Sequence, residues 1–200
     1  RRRTRPPGGD SWSHVTARLR ETASLREAIP SERQRVLDLV LALAGRVSGR
    51  RVLDVGADSS ALARGLAQEG AQVESVRDLL EPAFPLRGPF DVVTALDCID
   101  DSKDPEAALR VLGKLLHPRG RVVLAIAHPW RATAAGATPH PALASLPALL
   151  ASLRSAGLRL VDAAEPVGDP GASSEPPESR HLVLVAERTG RRTRNRGTSG

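Results

Sequence analysis

Residues 51–70 combine a strand, a glycine turn and a helix, and this unit constrains the fold more than any other part of the chain. The largely apolar run 52–55 predicts a short buried strand, and Gly56 predicts a tight turn directly after it. Leu62 and Leu66 mark the inward face of an amphipathic helix that follows. Because α/β proteins use this arrangement to bring backbone close to a nucleotide-like ligand, the unit predicts both a fold class and a binding site.

The turn has fewer glycines than a loop that cradles a nucleotide. Ala57 follows Gly56, while Asp58 and Ser60 occupy later positions where repeated glycines let backbone touch the ligand. We therefore expect a recognisable site whose contacts to the ligand are weakened.

The composition fits one domain with tails. The chain has 200 residues, of which 40% are hydrophobic, enough for a single core. One cysteine excludes an internal disulfide and favours a reducing, intracellular compartment, either cytoplasmic or organellar. No apolar run reaches the ~18 residues of a membrane span, so we expect none. The absence of methionine, even at position 1, indicates a fragment, a processed chain or an incomplete gene product.

The net charge of +6 comes from the two ends of the chain. Four arginines in residues 1–5 and five in residues 188–200 carry nine positive charges, so the rest of the chain is close to −3. We predict disordered basic tails at 1–9 and 189–200. Such tails contact nucleic acid nonspecifically at most, and the weakly acidic body argues against a nucleic-acid partner.

Strands and helices alternate along the predicted domain, residues 10–188, after N-terminal helices in 10–50. The predicted strands are 51–55, 71–76, 90–96, 121–127, 158–164 and 181–186, and the helices between them are 59–69, 104–116 and 142–155. This alternation predicts a Rossmann-like α/β fold with a doubly wound, mostly parallel sheet and helices on both faces. Two successive strands at the end predict an antiparallel C-terminal edge hairpin.

Three segments resemble the class I S-adenosylmethionine (SAM)-dependent methyltransferases. Residues 53–56, Leu-Asp-Val-Gly, are similar to the first SAM motif, and residues 90–96 are similar to the fourth strand of that fold. Residues 115–124 are similar to its next turn and fifth strand. In this order and spacing the resemblance covers roughly residues 31–188, and it implies SAM as cofactor and methyl transfer as the reaction.

Further segments resemble the DREV methyltransferases, a family that methylates histidine side chains in proteins. These segments are 29–37, 96–100, Pro105, 120–125, Pro129-Trp130, 145–147 and 156–157. The resemblance implies protein-histidine methylation, with a protein or peptide as the partner.

The chain also departs from the family pattern. Asp58 and Ser60 replace the last two glycines of the turn, and the connection after the second strand is about one helix and one strand shorter. Asp97 stands where the family has asparagine, and the chain has no tyrosine. Two alternatives therefore stay open: an inactive methyltransferase-like scaffold, and a methyltransferase acting on a small molecule or nucleic acid.

The cofactor residues implied by the resemblance begin with the turn. Asp54 is expected to accept the ammonium group of the methionine moiety, or alternatively to cap the turn through backbone N–H groups. Gly56, Ala57 and Asp58 are expected to lie against the ligand, although Gly56 also fits turn geometry alone.

An acidic residue one βα unit after the turn is expected to accept hydrogen bonds from the ribose hydroxyls of the cofactor. Glu74, near the end of the second predicted strand, is the expected acceptor, and Asp78 is the fallback in another register. An ordinary surface acid is the alternative for Glu74. Asp97, directly after the strand 90–96, is the remaining expected cofactor residue.

Two carboxylates are the expected catalytic residues. A histidine acceptor attacks through one bare nitrogen, so a carboxylate facing the other nitrogen fixes the tautomer and stabilises the cation formed. The resemblance gives this role to Asp100, supported by Asp97. The alternative is an acidic loop, with Asp104 capping the helix that starts at Pro105.

His128 and Trp130 end the predicted strand 121–127 at the ligand edge, where they are expected to contact substrate or simply to pack. No metal is expected, because the histidines have no ligand spacing with one another or with a cysteine. Cys98 has no partner that marks it as a nucleophile.

Overall fold

The computed structural model describes residues 31–56, 59–80, 85–129, 140–166 and 180–189. All but Ser31 belong to one unit, residues 32–200. The predicted helix before residue 30, the predicted tail at 1–9 and the predicted tail at 189–200, apart from Thr189, lie outside the described residues. Within the described ranges, no helix is both long and apolar enough to cross a membrane.

Six strands form one mixed sheet in the order β2-β1-β3-β4-β6-β5. In chain order the elements are α1 (Glu32–Ala44), β1 (Arg51–Val55), α2 (Ser59–Gln68), β2 (Gln72–Val76), β3 (Phe90–Leu96), α3 (Pro105–Leu115), β4 (Leu116–Ala127), α4 (Leu146–Ser155), β5 (Leu158–Ala164) and β6 (His181–Arg188). Strands β1 to β4 pair in parallel, while β6 is antiparallel to both β4 and β5. The α/β fold and its antiparallel edge hairpin are confirmed.

Helices cover both faces of the sheet, as the alternation predicts. On one face Val40 of α1 and Leu66 of α2 are fully buried in a cluster with alternate residues of the strands. On the other face Leu109 of α3 and Leu149 of α4 are fully buried with the remaining strand residues. The central strands are apolar on both faces because both faces are covered.

Strand β4 begins earlier than predicted. Phe90 pairs with Leu116 and Val92 pairs with Arg121, so the intervening residues 117–120 form an irregularity inside β4. The sequence predicts a turn there. Gly120 lies in this irregularity. A larger residue would not fit there, because a Cβ would lie 2.9 Å from the Phe90 carbonyl oxygen.

The capping residues set the starts of α3 and α4. The Asp104 side chain accepts a hydrogen bond from the Ala107 N–H, as expected for an N-cap before Pro105. In α4 the cap is Ser145, whose hydroxyl accepts from the Ala148 N–H. Helix α4 therefore begins at Leu146, later than the predicted residue 142.

Candidate functional site

A cavity of about 820 Å³ opens at the carboxyl ends of β1, β2 and β3. Its wall includes Val55 and Leu96 at the ends of β1 and β3, the segment 77–80 after β2, residues of the loop after β3, and Ala108 of α3. Strand β1 has β2 on one side and β3 on the other, so the connections diverge at this point of the sheet. Open α/β sheets bind ligands in the crevice that such divergence leaves.

Asp54 precedes Val55, the residue of β1 that lines this crevice, but Asp54 itself is not part of the cavity wall. Its side chain is 1% exposed, and Oδ1 accepts a hydrogen bond of 2.7 Å from the Thr94 hydroxyl. Oδ2 is buried and has no hydrogen-bond partner within the part of the chain that the structure describes. Burial raises the pKa of Asp54 to about 6, although the hydrogen bond from Thr94 opposes the shift. A donor or a cation is therefore missing from the surroundings of this carboxylate.

Gly56 is required by the close approach of two strand ends. Its φ is +148°, and a Cβ at this position would lie 2.9 Å from the Leu96 carbonyl oxygen. Its N–H donates a 2.9 Å hydrogen bond to the Val76 carbonyl. The described contacts of Gly56 are thus made within the sheet, which supports turn geometry and packing as the reason for glycine here.

Asp97 lines the cavity in an uncommon backbone conformation. Its φ is +58°, a left-handed value that aspartate tolerates better than most residues. Its N–H donates to the Ala125 carbonyl at 3.0 Å, and its carboxylate forms an ion pair with Arg33 of α1. These contacts hold the chain in the left-handed conformation at the rim of the site.

His181, the first residue of β6, joins Asp97 and Arg33 in a charged network. Its Nε2 lies 3.2 Å from Asp97 Oδ1, and its Nδ1 lies 3.1 Å from Glu32 Oε1. The hydrogen bond with Asp97 raises the pKa of His181 against the effect of burial. Burial also opposes ionisation of Asp97, but the contacts with His181 and Arg33 outweigh it and lower the pKa of that carboxyl. Asp97 therefore carries its negative charge between the Arg33 guanidinium and the His181 ring.

The acid available for a ligand after β2 is Asp78 rather than Glu74. Glu74 is half exposed and forms a 2.6 Å ion pair with Arg51, and it does not line the cavity. Asp78 lines the cavity, and its Oδ1 accepts a 2.8 Å hydrogen bond from the Leu80 N–H. The ion pair with Arg51 engages the Glu74 carboxylate outside the cavity wall, which favours the surface-acid alternative, and the ribose-binding role of Glu74 stays a prediction.

The charges on the cavity wall balance. Counting only described residues, three cations and three carboxylates line it: Arg33, Arg77, Lys103, Asp78, Asp97 and Asp101. Cys98 is also part of the wall, and burial raises the pKa of its thiol to about 12. This cysteine stays protonated at neutral pH and is a poor nucleophile.

A family model for a methyltransferase domain matches residues 26–163, more than half of the chain. The chain belongs to the methyltransferase domain family. The match lies inside the predicted domain, residues 10–188, and spans α1 to β5, the elements that build the cavity.

Curated relatives of this methyltransferase domain are similar over part of their length. The ubiquinone biosynthesis O-methyltransferase of Bordetella avium is 27% identical over 139 residues, which are 56% of this chain and 57% of that protein. The chain spans about half the length of the curated relatives it matches.

Solved structures share the fold at low sequence identity. A SAM-dependent methyltransferase from Mesorhizobium loti has a TM-score of 0.60 at 16% identity, covering 76% of this chain and 96% of that one. The 1,6-didemethyltoxoflavin-N1-methyltransferase of Burkholderia thailandensis, solved with 1,6-didemethyltoxoflavin and S-adenosylhomocysteine, has a TM-score of 0.54 at 18% identity, with 93% of each chain covered. These likenesses show that the methyltransferase domain has a Rossmann-like fold.

Asp100 has a different position from the one that a catalytic role requires. Its Oδ2 accepts a 2.9 Å hydrogen bond from the Ala127 N–H, and it does not line the cavity of the methyltransferase domain. Burial raises the pKa of Asp100 to about 6, while the Ala127 N–H opposes the shift. Asp100 thus connects the loop after β3 to the end of β4, and its catalytic role stays a prediction.

His128 is buried away from the cavity wall. It is 3% exposed, and its Nε2 lies 3.2 Å from Glu165 Oε1. The structure therefore favours packing over substrate contact for this residue. Trp130, Ala57 and Asp58 lie outside the described residues, as does the side chain of Ser60, so the predictions for them stay predictions.

Sequence reasoning missed Arg33 and His181 as site residues of the methyltransferase domain. Arg33 is 64 positions from Asp97, and His181 is 149 positions from Glu32. No local motif connects such distant positions. The sequence alone does not show that an arginine in the first turn of α1 and a histidine at the start of β6 lie at the site. That follows only once the strand order of the sheet is known.

Proposed function

We propose that this chain is a SAM-dependent methyltransferase domain whose methyl acceptor is a small molecule. The observation that carries the proposal is the cavity of about 820 Å³ at the divergence point of the sheet, together with a buried carboxylate oxygen of Asp54, the residue before Val55 of the cavity wall, that has no partner among the described residues. A cavity of this size lies within the range of pockets that take small molecules. The relatives named above, which act on ubiquinone precursors or toxoflavin precursors by their names, support a small acceptor over a protein histidine.

Asp54 suits the positive end of the cofactor. SAM supplies an electrophilic methyl group on sulfur and carries an ammonium group on its methionine part. The unpartnered Oδ2 of Asp54 accepts that ammonium group, directly or through water. A cation there lowers the raised pKa of Asp54 and satisfies the buried atom, which favours binding.

The balanced charge of the wall suits the remainder of the cofactor. Asp78 is placed to accept hydrogen bonds from the ribose hydroxyls, and Arg77 beside it is available to an anionic group. Leu79 and Leu80 supply apolar surface for an adenine ring. The chain's task in methyl transfer is to hold donor and acceptor in line and away from water, and these residues hold and orient rather than react.

The network around Asp97 argues against a histidine acceptor. A carboxylate that stabilises a methylated imidazolium needs charge that is not already neutralised. Asp97 is paired with Arg33 and His181, and Asp100 accepts from the Ala127 N–H outside the cavity wall. Neither carboxylate is placed for the role that the protein-histidine hypothesis assigns to it.

A labelled methyl-transfer assay tests the proposal. The protein is incubated with methyl-labelled SAM and, separately, with catechols and phenols, heterocyclic amines, histidine-rich peptides and RNA. We expect label in a small aromatic acceptor, with Asp54→Asn strongly reduced and Arg64→Gln unchanged, because Arg64 is exposed on α2 away from the cavity. Label in the peptides alone would restore the histidine hypothesis, and label in no acceptor despite SAM binding would support the scaffold alternative.

A further inference from the structure

A second cavity, of about 460 Å³, lies at the opposite edge of the sheet from the first. It lies beside the end of α1, the segment before β1, and the amino-terminal parts of β3 and β4. We call it the basic pocket, defined by its four arginines, Arg46, Arg50, Arg119 and Arg121. Nothing in the proposed methyl transfer uses it.

Positive charge in the basic pocket is largely uncompensated. In the part of the chain that the structure describes, the guanidinium groups of Arg46, Arg50 and Arg119 make no ion pair or hydrogen bond. Arg121 has one long ion pair, 4.0 Å, with Glu187. Four arginines face one lining carboxylate, that of Asp91, so the wall has a net charge of +3 with the histidine neutral.

The single carboxylate in the wall is already engaged. Asp91 Oδ2 accepts a 3.0 Å hydrogen bond from the backbone N–H of Arg51. By contrast, the Arg51 side chain pairs with Glu74 and donates to two backbone carbonyls, so this neighbouring arginine makes three hydrogen bonds in the structure. The arginines of the basic pocket differ from it in having their donors available.

The irregularity in β4 brings donors together at this pocket. His117 and Arg119 lie inside it, and Arg121 follows it directly. The His117 Nδ1 accepts a 3.3 Å hydrogen bond from the Arg119 N–H, so the neutral ring carries its proton on Nε2 and remains a donor there. The departure of β4 from regular pairing thus places two arginines and a histidine on one wall.

We propose that the basic pocket binds a compact anion carrying two or more adjacent phosphoryl groups. Guanidinium groups donate two parallel hydrogen bonds to phosphoryl oxygens, and several of them around a concave site favour a multivalent anion over a single carboxylate. The volume of about 460 Å³ suits a small ligand. Inorganic polyphosphate and a nucleoside triphosphate share this chemistry.

Calorimetric titration with tripolyphosphate and with ATP, at constant ionic strength and without divalent cations, tests the proposal. We expect tripolyphosphate to bind and the double variant Arg50→Glu/Arg119→Glu to bind it at least about tenfold more weakly, since the charged hydrogen bonds of two guanidinium groups are lost. Arg50→Gln/Arg119→Gln should show a smaller loss. Arg64→Glu, an exposed arginine outside both cavities, and Arg77→Glu, in the first cavity, should bind as the unchanged protein does.

The two probes separate the sources of the anion. Equal affinities indicate that the phosphoryl groups alone are recognised, and tighter binding of ATP indicates a nucleotide; both support the proposal. Absence of tripolyphosphate binding at ~1 mM overturns it. It is also overturned if Arg77→Glu abolishes binding while the double variant retains it, or if single-stranded RNA binds through Arg50 and Arg119 and tripolyphosphate does not.

Discussion

Asp54 places a carboxylate inside the protein with one oxygen satisfied and the other not. The folded pKa of about 6 lies above the ordinary value of 3.8, because burial disfavours the charged form. The folded state therefore holds this proton more tightly than the unfolded state, so the stability of the ligand-free protein falls as the pH rises from about 3.8 to about 6 and stays lower above that.

Asp54→Asn should stabilise the ligand-free protein at neutral pH. The substitution removes the buried charge, so the free energy of unfolding should rise by as much as about 3 kcal/mol at pH 7.5. At pH 4 the aspartate is already protonated in the fold, and the gain should largely vanish. Urea unfolding of both proteins at the two pH values measures this; a gain equal at both would show that ionisation of Asp54 is not its cause.

Gly56→Ala should strongly destabilise the protein. Its Cβ would lie 2.9 Å from the Leu96 carbonyl oxygen at a φ of +148°, so backbone must move at the end of β1 or β3. We expect a loss of about 2–4 kcal/mol. Gly49→Ala is the matched control, because Gly49 has a φ of +73° but nothing within 4 Å of the added Cβ, and should lose about 1 kcal/mol. Equal losses in thermal or urea unfolding would contradict the packing role of Gly56.

Local sequence predicts single residues well where the reason is local. Asp104 as a cap, Gly56 as a turn residue and Asp54 at a strand end all follow from neighbours in the chain. The ion pair of Glu74 with Arg51 could not be predicted locally, because Arg51 lies on another strand and the pairing depends on the register of β1 against β2.

Elements α1, β3 and β6 meet through one charged network at the rim of the first cavity. Arg33 and Glu32 come from α1, Asp97 follows β3, and His181 opens β6. With both ring nitrogens facing carboxylates, His181 is most favourable as the doubly protonated cation. The network therefore links the position of three elements to pH.

His181→Asn should lose stability in a pH-dependent way. The pKa of His181 is raised in the fold, so its contribution is complete below the unfolded value of 6.5 and is lost as pH rises through the folded pKa. The fold lowers the pKa of Asp97 below its ordinary value of 3.8. The contribution of Asp97 to stability is therefore lost as the pH falls from 3.8 through the folded pKa. The difference between the unchanged protein and the variant should be largest between pH 4 and 6.5 and shrink in alkali. A difference that does not change with pH in urea unfolding would rule out this charged role.

Periodicity predicts the elements themselves because each strand and helix has a buried face. Its errors lie at boundaries that non-local contacts decide. Strand β4 extends back to Leu116 because Phe90 pairs with that residue, and α4 starts late because Ser145 caps it. A local pattern of apolar residues contains neither the pairing nor the cap geometry.

The sheet has a different cavity at each end of its parallel strands. The carboxyl edge has a cavity with balanced charges and the unpartnered Asp54 oxygen, and the amino edge has the basic pocket. The fold is predictable from sequence because alternating elements leave few topologies. The residues that line the two cavities cannot be predicted from sequence in the same way, because they depend on which loops the strand order brings together.

Calorimetric titration with S-adenosylhomocysteine, the product that SAM leaves behind, tests the central claim most directly. We predict binding to the carboxyl-edge cavity that weakens at least about tenfold in Asp54→Asn, through loss of a charged hydrogen bond. Arg64→Gln should bind as the unchanged protein does. The absence of binding to the folded protein at ~1 mM, or unaltered affinity in Asp54→Asn, would contradict the account.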